Sequence, residues 1–254
     1  MPNTGQMRAT RVLFIGTLAG LFAGLFGVGG GFVMVPLFVL WLGMHQKRAH
    51  ATSLLSVAFI SIAGLIPYVR LNHIAWSIAG FVCLGSIAGI FTGVRLLQRF
   101  SERTVTLIFS AVLYLAVIRL LINSQPHQIF SGVGGYVVLV FIGFIAGALA
   151  GLLGVGGGIV IVPALIICAG LTPTDARGSS LVVIVVSALI GASLHHRLGN
   201  LDHKIAIYSG VAGVPAALIG ALVGTRISDS ILIPLFCVLL FAMATQLILR
   251  SRGE

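Results

Sequence analysis

Two copies of the sequence GVGGG, at residues 27–31 and 154–158, carry the chemistry that this chain offers. Each copy interrupts an apolar stretch, and glycine adopts backbone conformations and permits close approaches that side chains prevent. A helix that restarts after such a break presents unpaired N–H groups and the positive end of its dipole, which favours an anion. The two segments therefore predict recognition of a small anion by main-chain amides. The loop residues of this predicted site are Gly27, Val28, Gly29, Gly30, Gly31, Gly154, Val155, Gly156, Gly157 and Gly158.

Hydroxyl side chains follow each glycine segment, near the start of the next predicted helix. They are Thr52 and Ser53 after the first copy, and Ser179 and Ser180 after the second. If these helix starts face the same cavity, the hydroxyls add donors for the anion. The other interpretation is that they cap the helices that follow, and the two roles are compatible.

The glycine segments belong to a longer internal repeat. GLFAGLFGVGGGFVMVP at residues 20–36 returns as GALAGLLGVGGGIVIVP at residues 147–163, with 12 of 17 positions identical. The chain is therefore predicted to be a duplicated unit, with one repeat over residues 1–125 and the other over residues 126–254. Paired broken helices in corresponding positions of two halves are typical of secondary transporters.

Composition places the chain in a bilayer. Hydrophobic residues make up 58% of it and charged residues 8%, whereas soluble domains carry about 25% charged residues. The net charge of +10 comes from cations at predicted helix ends rather than along one face, which favours membrane anchoring over nucleic-acid binding. Further apolar runs predict helical spans near residues 52–69, 76–97, 105–122, 136–150, 181–194, 205–223 and 231–249.

The glycine breaks allow two topologies. The apolar halves, residues 12–26 and 32–42, look too short to cross a core of about 30 Å, so they form either one kinked span or a re-entrant hairpin. Kinked spans divide the 15 Lys and Arg residues 8 to 7 between the two sides, whereas hairpins divide them 11 to 4. The positive-inside rule favours the hairpins, with both termini cytoplasmic. The predicted fold is an all-α integral membrane protein of two inverted repeats, each a glycine-broken re-entrant hairpin plus three transmembrane helices.

Four further residues are candidates for proton transfer or gating. His195 and His196 end the helix that contains Ser179 and Ser180, and histidine titrates near neutral pH. Arg70 and Arg197 occupy equivalent positions in the two repeats and could line electropositive vestibules, or anchor helix ends. Other groups are weaker candidates for a functional site, because the cysteines are single, no metal-ligand spacing occurs, and the five acidic residues fall in predicted loops or the tail.

The paired GVGGG…P segments, the A-x-x-[TS]-S helix starts and RLGNLD at residues 197–202 resemble the TauE/SafE sulfite exporter family, also called the toluene sulfonate uptake permease family. The resemblance extends from about residue 12 to residue 249. It implies an integral membrane carrier of sulfite, sulfonates or related organosulfur anions, without ATPase subunits of its own.

Together these features predict a secondary transporter in the cytoplasmic (inner) membrane that moves a small sulfur-containing anion by alternating access. The predicted partners are that anion, a candidate coupling proton, the lipid bilayer and a candidate further copy of the chain. No nucleic acid, cofactor, metal or enzymatic activity is expected. Two other functions remain open: a passive anion channel that uses the same site, and a non-transporting membrane scaffold for sulfur metabolism.

Overall fold

Helices account for the fold throughout the part of the chain that the structure describes. The computed structural model describes residues 4–101, 103–104, 107, 110–111, 114–115, 117–118 and 133–251, and it contains no strand in these residues. The all-α prediction is confirmed. The helices are α1 (Thr4–Phe26), α2 (Gly31–Leu42), α3 (Gln46–Arg70), α4 (Trp76–Arg99), α5 (Val133–Leu153), α6 (Gly158–Ala169), α7 (Pro173–Arg197), α8 (His203–Gly224) and α9 (Asp229–Ser251).

Seven of these helices, all except α2 and α6, are long and apolar enough to cross a membrane. Large apolar side chains point outwards from them, among them Phe141 with 62% and Val238 with 67% of their surface exposed. Outward apolar side chains on such helices fit contact with lipid, and the chain is a multi-pass membrane protein. The span predicted over residues 105–122 lies largely outside the described residues.

The chain reverses direction at the first glycine break. The guanidinium of Arg11, near the start of α1, donates a hydrogen bond to the carbonyl of Trp41, near the end of α2, at 3.1 Å. The rings of Phe14 and Trp41 also stack, with centroids 5.9 Å apart. Helix α2 therefore runs back along α1 as a hairpin, not onwards as a kinked span.

The two arms of this hairpin differ in length. Helix α2 has 12 residues, or about 18 Å, whereas α1 has 23 residues, or about 35 Å, and is long enough to cross the bilayer core. The prediction that both arms are too short to cross is wrong for α1, because the polar residues before Val12 are also helical.

Helices α3 and α7 are equivalent in the two repeats and pack against each other in opposite directions. Near the start of α3, the Thr52 hydroxyl accepts a hydrogen bond from the Asp202 N–H, just beyond the end of α7. Just beyond the end of α3, the His73 imidazole lies 2.8 Å from the Asp175 carboxylate, in the first turn of α7. Opposed equivalent helices are what inverted repeats require, and the orientation of the repeats in a bilayer stays a prediction.

The tightest helix pairs join one repeat to the other. A Cβ added to Gly16, Gly20 or Gly24 of α1 would overlap the backbone of α8 at Ser209, Gly213 and Ala217 in turn. Helix α1 therefore runs parallel to α8. Helix α4 packs on α5 in the same way, also in parallel, through Gly85, Gly89 and Gly93. These small residues let the helix backbones touch, as in other close-packed membrane helices.

Candidate functional site

The two glycine segments form loops of the same shape. Gly27, Gly29 and Gly30 have φ angles of 66°, 81° and 74°, and the corresponding residues of the second loop have 67°, 84° and 81°. Side chains with a Cβ avoid this left-handed region, so the sequence places glycine where the chain turns between helices. Every residue of both loops is buried.

The two loops lie against each other at the centre of the molecule. A Cβ added to Gly31 would lie 2.7 Å from the carbonyl oxygen of Gly154, and one added to Gly158 would lie 2.6 Å from Val28 Cα. Gly29 and Gly156 both pack against the same two side chains, Val57 of α3 and Ile184 of α7. Since Val57 and Ile184 are themselves equivalent, the contacts are reciprocal, as in an interface around a two-fold axis.

Several main-chain N–H groups in both loops have no hydrogen-bond acceptor in the part of the chain that the structure describes. In the first loop, the Gly27 N–H bonds to Ala23, and the N–H groups of Val33 and Met34 bond to Gly30. Between them, the N–H groups of residues 28–32 have no acceptor among the described residues, and those of residues 155–159 repeat this pattern. Buried N–H groups are nearly always paired in native proteins, so these are the donors best placed to bind an anion.

Two of the four predicted hydroxyl residues hold the loops in place. Ser53 donates to the carbonyl of Gly154 at 2.6 Å. Ser180 donates in the same way to the carbonyl of Gly27. Helix α3 of the first repeat thus holds the glycine loop of the second repeat, and α7 of the second repeat holds the loop of the first. Contact of these hydroxyls with an anion stays a prediction.

The other two hydroxyls bind the connections between long helices. Thr52 accepts from the Asp202 N–H at 3.1 Å, and Ser179 accepts from the Ala75 N–H at 2.9 Å. None of the four hydroxyls caps its own helix, because α3 and α7 begin at Gln46 and Pro173, one to two turns earlier than predicted. Thr172 is the N-cap of α7, where its side chain accepts from the Asp175 N–H.

Polar side chains contact the carbonyls in the last turns of α1 and α5, and of these the sequence pointed only to His195. At α1, the Tyr68 hydroxyl donates to the Gly24 carbonyl at 3.0 Å, and Arg177 donates to the Leu25 carbonyl at 3.3 Å. Arg177 also pairs with Asp229, at the start of α9. Arg177 is buried, with only 4% of its surface exposed.

At the end of α5, two histidines contact the last-turn carbonyls in the equivalent way. The His195 imidazole lies 3.4 Å from the Gly151 carbonyl, and the His50 imidazole contacts the Leu153 carbonyl. Both histidines are buried. The signal in the sequence was that His50 and Arg177 stand three residues before Ser53 and Ser180, the equivalent serines.

The four predicted proton or gating residues are not brought together. His195 is buried, whereas His196, Arg70 and Arg197 are exposed. The ring of His196 contacts that of His203 edge to face, with centroids 4.8 Å apart. Within the described residues, no group of three or more His, Cys, Asp or Glu residues could hold a metal ion.

An all-helical membrane protein with two glycine-broken hairpins that meet at its centre has the architecture of a membrane transporter. The family described as Sulfite exporter TauE/SafE matches residues 2–120 and 139–254. The chain belongs to this family, which is a family of membrane transporters rather than of enzymes.

Relatives from bacteria and archaea carry the same general description. A probable membrane transporter protein of Xylella fastidiosa is 30% identical over 247 residues, which cover 93% of each chain. The probable membrane transporter protein YjnA of Bacillus subtilis is 35% identical and covers 85% of this chain and 91% of its own. The probable membrane transporter protein MJ0441 of Methanocaldococcus jannaschii is 26% identical, with coverage of 83% and 80%. No solved structure gives a significant match to this chain.

Proposed function

We propose that this protein is a secondary transporter of the cytoplasmic membrane that binds a small sulfur oxyanion, such as sulfite, or an organosulfonate where the two glycine loops meet. The reciprocal contact of the loops is the observation that carries the proposal. N–H groups with no acceptor among the described residues lie in the loops of both repeats, and two helix N-termini favour negative charge there without a charged side chain. The family description supports a sulfur-containing anion.

Transport would proceed by movement of the two hairpins against the antiparallel helices α3 and α7. Ser53 and Ser180 each bond a loop of the opposite repeat. Breaking one of these contacts while the other holds would open the site to one side at a time. Rigid bodies that rock around a site between repeats are the usual form of alternating access.

An anion panel tests the site. The purified protein is heated in detergent with sulfite, thiosulfate, sulfoacetate, sulfate, phosphate or acetate. A ligand at about 100 times its Kd stabilises the folded state by about 2.7 kcal/mol, which raises the melting temperature. We expect a rise with one or more sulfur anions that is lost in the Ser53→Ala, Ser180→Ala double variant.

Ser193→Ala is the matched control, because Ser193 is exposed and, among the described residues, its hydroxyl donates only to Leu189 of its own helix. This variant should keep the full response to the anion. No stabilisation by any anion would contradict the proposed site and favour the scaffold. Proteoliposomes separate transporter from channel, because only a transporter accumulates the anion against its concentration gradient when a pH step is applied.

A further inference from the structure

Residues at equivalent positions near the two ends of the molecule have different types of side chain. His50 corresponds to Arg177 and His195 to Tyr68, each 127 residues apart. All four side chains contact carbonyls in the last turn of α1 or α5. One end thus has a permanent cation and a phenol, neither of which changes charge near neutral pH, and the other has two imidazoles.

The geometry of His195 leaves one ring nitrogen without a hydrogen-bond partner among the described residues. Its Nε2 faces the Gly151 carbonyl, so in the neutral ring Nε2 carries the hydrogen and Nδ1 is the basic nitrogen. Nδ1 is fully buried and has no hydrogen-bond partner within the described structure. The side chain as a whole has 1% of its surface exposed.

His50 lies beside the same helix end. Its Nδ1 contacts the Leu153 carbonyl, which requires the hydrogen on Nδ1 and leaves Nε2 as the basic nitrogen. The last-turn carbonyls of α5 carry the negative end of the helix dipole, which stabilises a protonated imidazole. Both rings lie against carbonyls of the same last turn of α5, and two like charges held at one helix end disfavour each other, so this site suits one proton rather than two.

No counter-ion among the described residues neutralises these imidazoles. The nearby carboxylate of Asp202 already pairs with Arg48 at 3.1 Å. Helices α5 and α6 contribute no Asp, Glu, Lys, Arg or His. Other basic side chains at this end, all exposed or half-buried, include His45, Lys47, Arg95, Arg99, His196, Arg197, His203 and Lys204.

We infer that His50 and His195 form a proton-binding site that takes up one proton from water in each transport cycle. The inference rests on the proposed function, for which it names the coupling ion and its place. A hydrogen on His195 Nδ1 would have no acceptor among the described residues. Protonation favours a conformation in which α5 and α7 shift and give this hydrogen an acceptor. Tyr68 and Arg177, at the equivalent positions of the opposite end, do not change charge in the neutral range, and the histidine near that end, His73, is paired with Asp175.

Thiosulfate uptake into proteoliposomes tests the coupling, since the charge of thiosulfate does not change near neutral pH. With the membrane potential clamped, a step of one pH unit sustains an about tenfold accumulation for one proton per anion. We expect accumulation by the wild type. We expect none with His195→Tyr or His50→Arg, which copy the opposite end, or with His195→Gln, while all three variants still exchange thiosulfate down its gradient.

His203→Gln is the matched control, because His203 is exposed at the start of α8, and it should accumulate thiosulfate as the wild type does. Undiminished pH-driven accumulation in the His50 and His195 variants would overturn the inference.

A measurement that needs no transport separates this inference from the proposed function. Protein with ¹⁵N-labelled histidine is titrated between about pH 5 and about pH 8, where imidazoles change charge, and the ring signals are assigned with the single variants. One proton shared by His50 and His195 supports the site even if thiosulfate is not carried, a result that would count against the proposed substrate alone. No titration of either ring over this range would overturn the inference.

Discussion

Glycine serves two separate purposes in the central loops. Gly29 and Gly30 are needed for their positive φ angles. Gly31 lies at the start of α2, where a Cβ would collide with the backbone of the other loop. The close approach at Gly30 is also to protein, since a Cβ there would meet the Ala19 carbonyl of α1. A larger side chain at Gly30 would therefore disturb the hairpin itself and would not report on an anion.

Gly31→Ala tests the contact between the loops without a change in backbone conformation. The methyl group would lie 2.7 Å from the Gly154 carbonyl and from Val155 Cα, and such overpacking costs about 1–3 kcal/mol. Melting curves in detergent should show a decrease of about 2–4 °C for each kcal/mol lost. Gly158→Ala, on the other side of the contact, should behave in the same way.

Gly134→Ala is the control for these variants. Gly134 also lies in the first turn of a helix, and a Cβ there would meet no atom of the described residues within 4 Å. Its replacement should leave stability unchanged or raise it by about 0.4–1 kcal/mol, because alanine restricts the unfolded chain. Equal melting temperatures for Gly31→Ala and Gly134→Ala would contradict the contact between the loops.

At the residue scale, the local sequence pattern predicted where the helices break but not which residues contact the breaks. The GVGGG segments indicated where the helices end, because glycine and apolar flanks act within a few residues. The bonds from Ser53 to Gly154 and from Arg177 to Leu25 join residues more than 100 positions apart. Only the packing of one repeat on the other determines such pairs, so the burial of His50 and Arg177 could not be predicted from the sequence.

At the element scale, the packing of helices in pairs determines the architecture. The hairpin was predictable, because the arginines and lysines divide unevenly only when the chain turns back at the glycines. The starts of α1, α3 and α7 were not predictable from the sequence, because their first turns are polar and fall outside the apolar runs. The partners of α1 and α4 were not predictable either, since a stripe of glycines shows that a helix packs closely without showing against which helix.

Gly20→Ala tests the pairing of α1 with α8. Its methyl group would overlap the Gly213 carbonyl of α8 and force two backbones apart. We expect a loss of at least about 1–3 kcal/mol, seen as a lower melting temperature and a larger aggregated fraction in gel filtration.

The matched variant is Gly80→Ala, at an exposed position in the second turn of α4, where no atom of the described residues lies within 4 Å of the added methyl. Here alanine should be neutral or stabilising by about 0.5–1 kcal/mol, because glycine weakens a helix interior. A Gly20→Ala protein as stable as Gly80→Ala would show that α1 and α8 do not touch.

At the scale of the whole molecule, the prediction with the widest consequence is that the two repeats lie inverted in the membrane. Leu71 and Leu198 offer a direct test, because they occupy equivalent positions just after α3 and α7 and are both exposed, at 49% and 43%. In a parallel arrangement they would lie on the same side of the membrane. In an inverted arrangement they lie on opposite sides.

Single cysteines placed at these two positions, in a protein whose Cys83, Cys168 and Cys237 are replaced by alanine, should react differently with a membrane-impermeant maleimide. In intact cells, we expect Leu71→Cys to be labelled and Leu198→Cys to be protected until the cells are opened, because positive charge marks the Leu198 side as cytoplasmic. Labelling of both in intact cells, or of neither, would exclude the inverted arrangement.

The pairing of α1 with α8 also governs how the protein is made. Gly16 meets Ser209, which the ribosome adds 193 residues later. At about 5–20 residues per second, α1 waits on the order of 10 to 40 s in the bilayer before its partner exists. During that interval its glycine face is open to other helices or to chaperones of membrane insertion, and neither repeat has a finished interior. An early stop in translation would therefore leave no half-sized transporter, only an unpaired fragment for proteolysis.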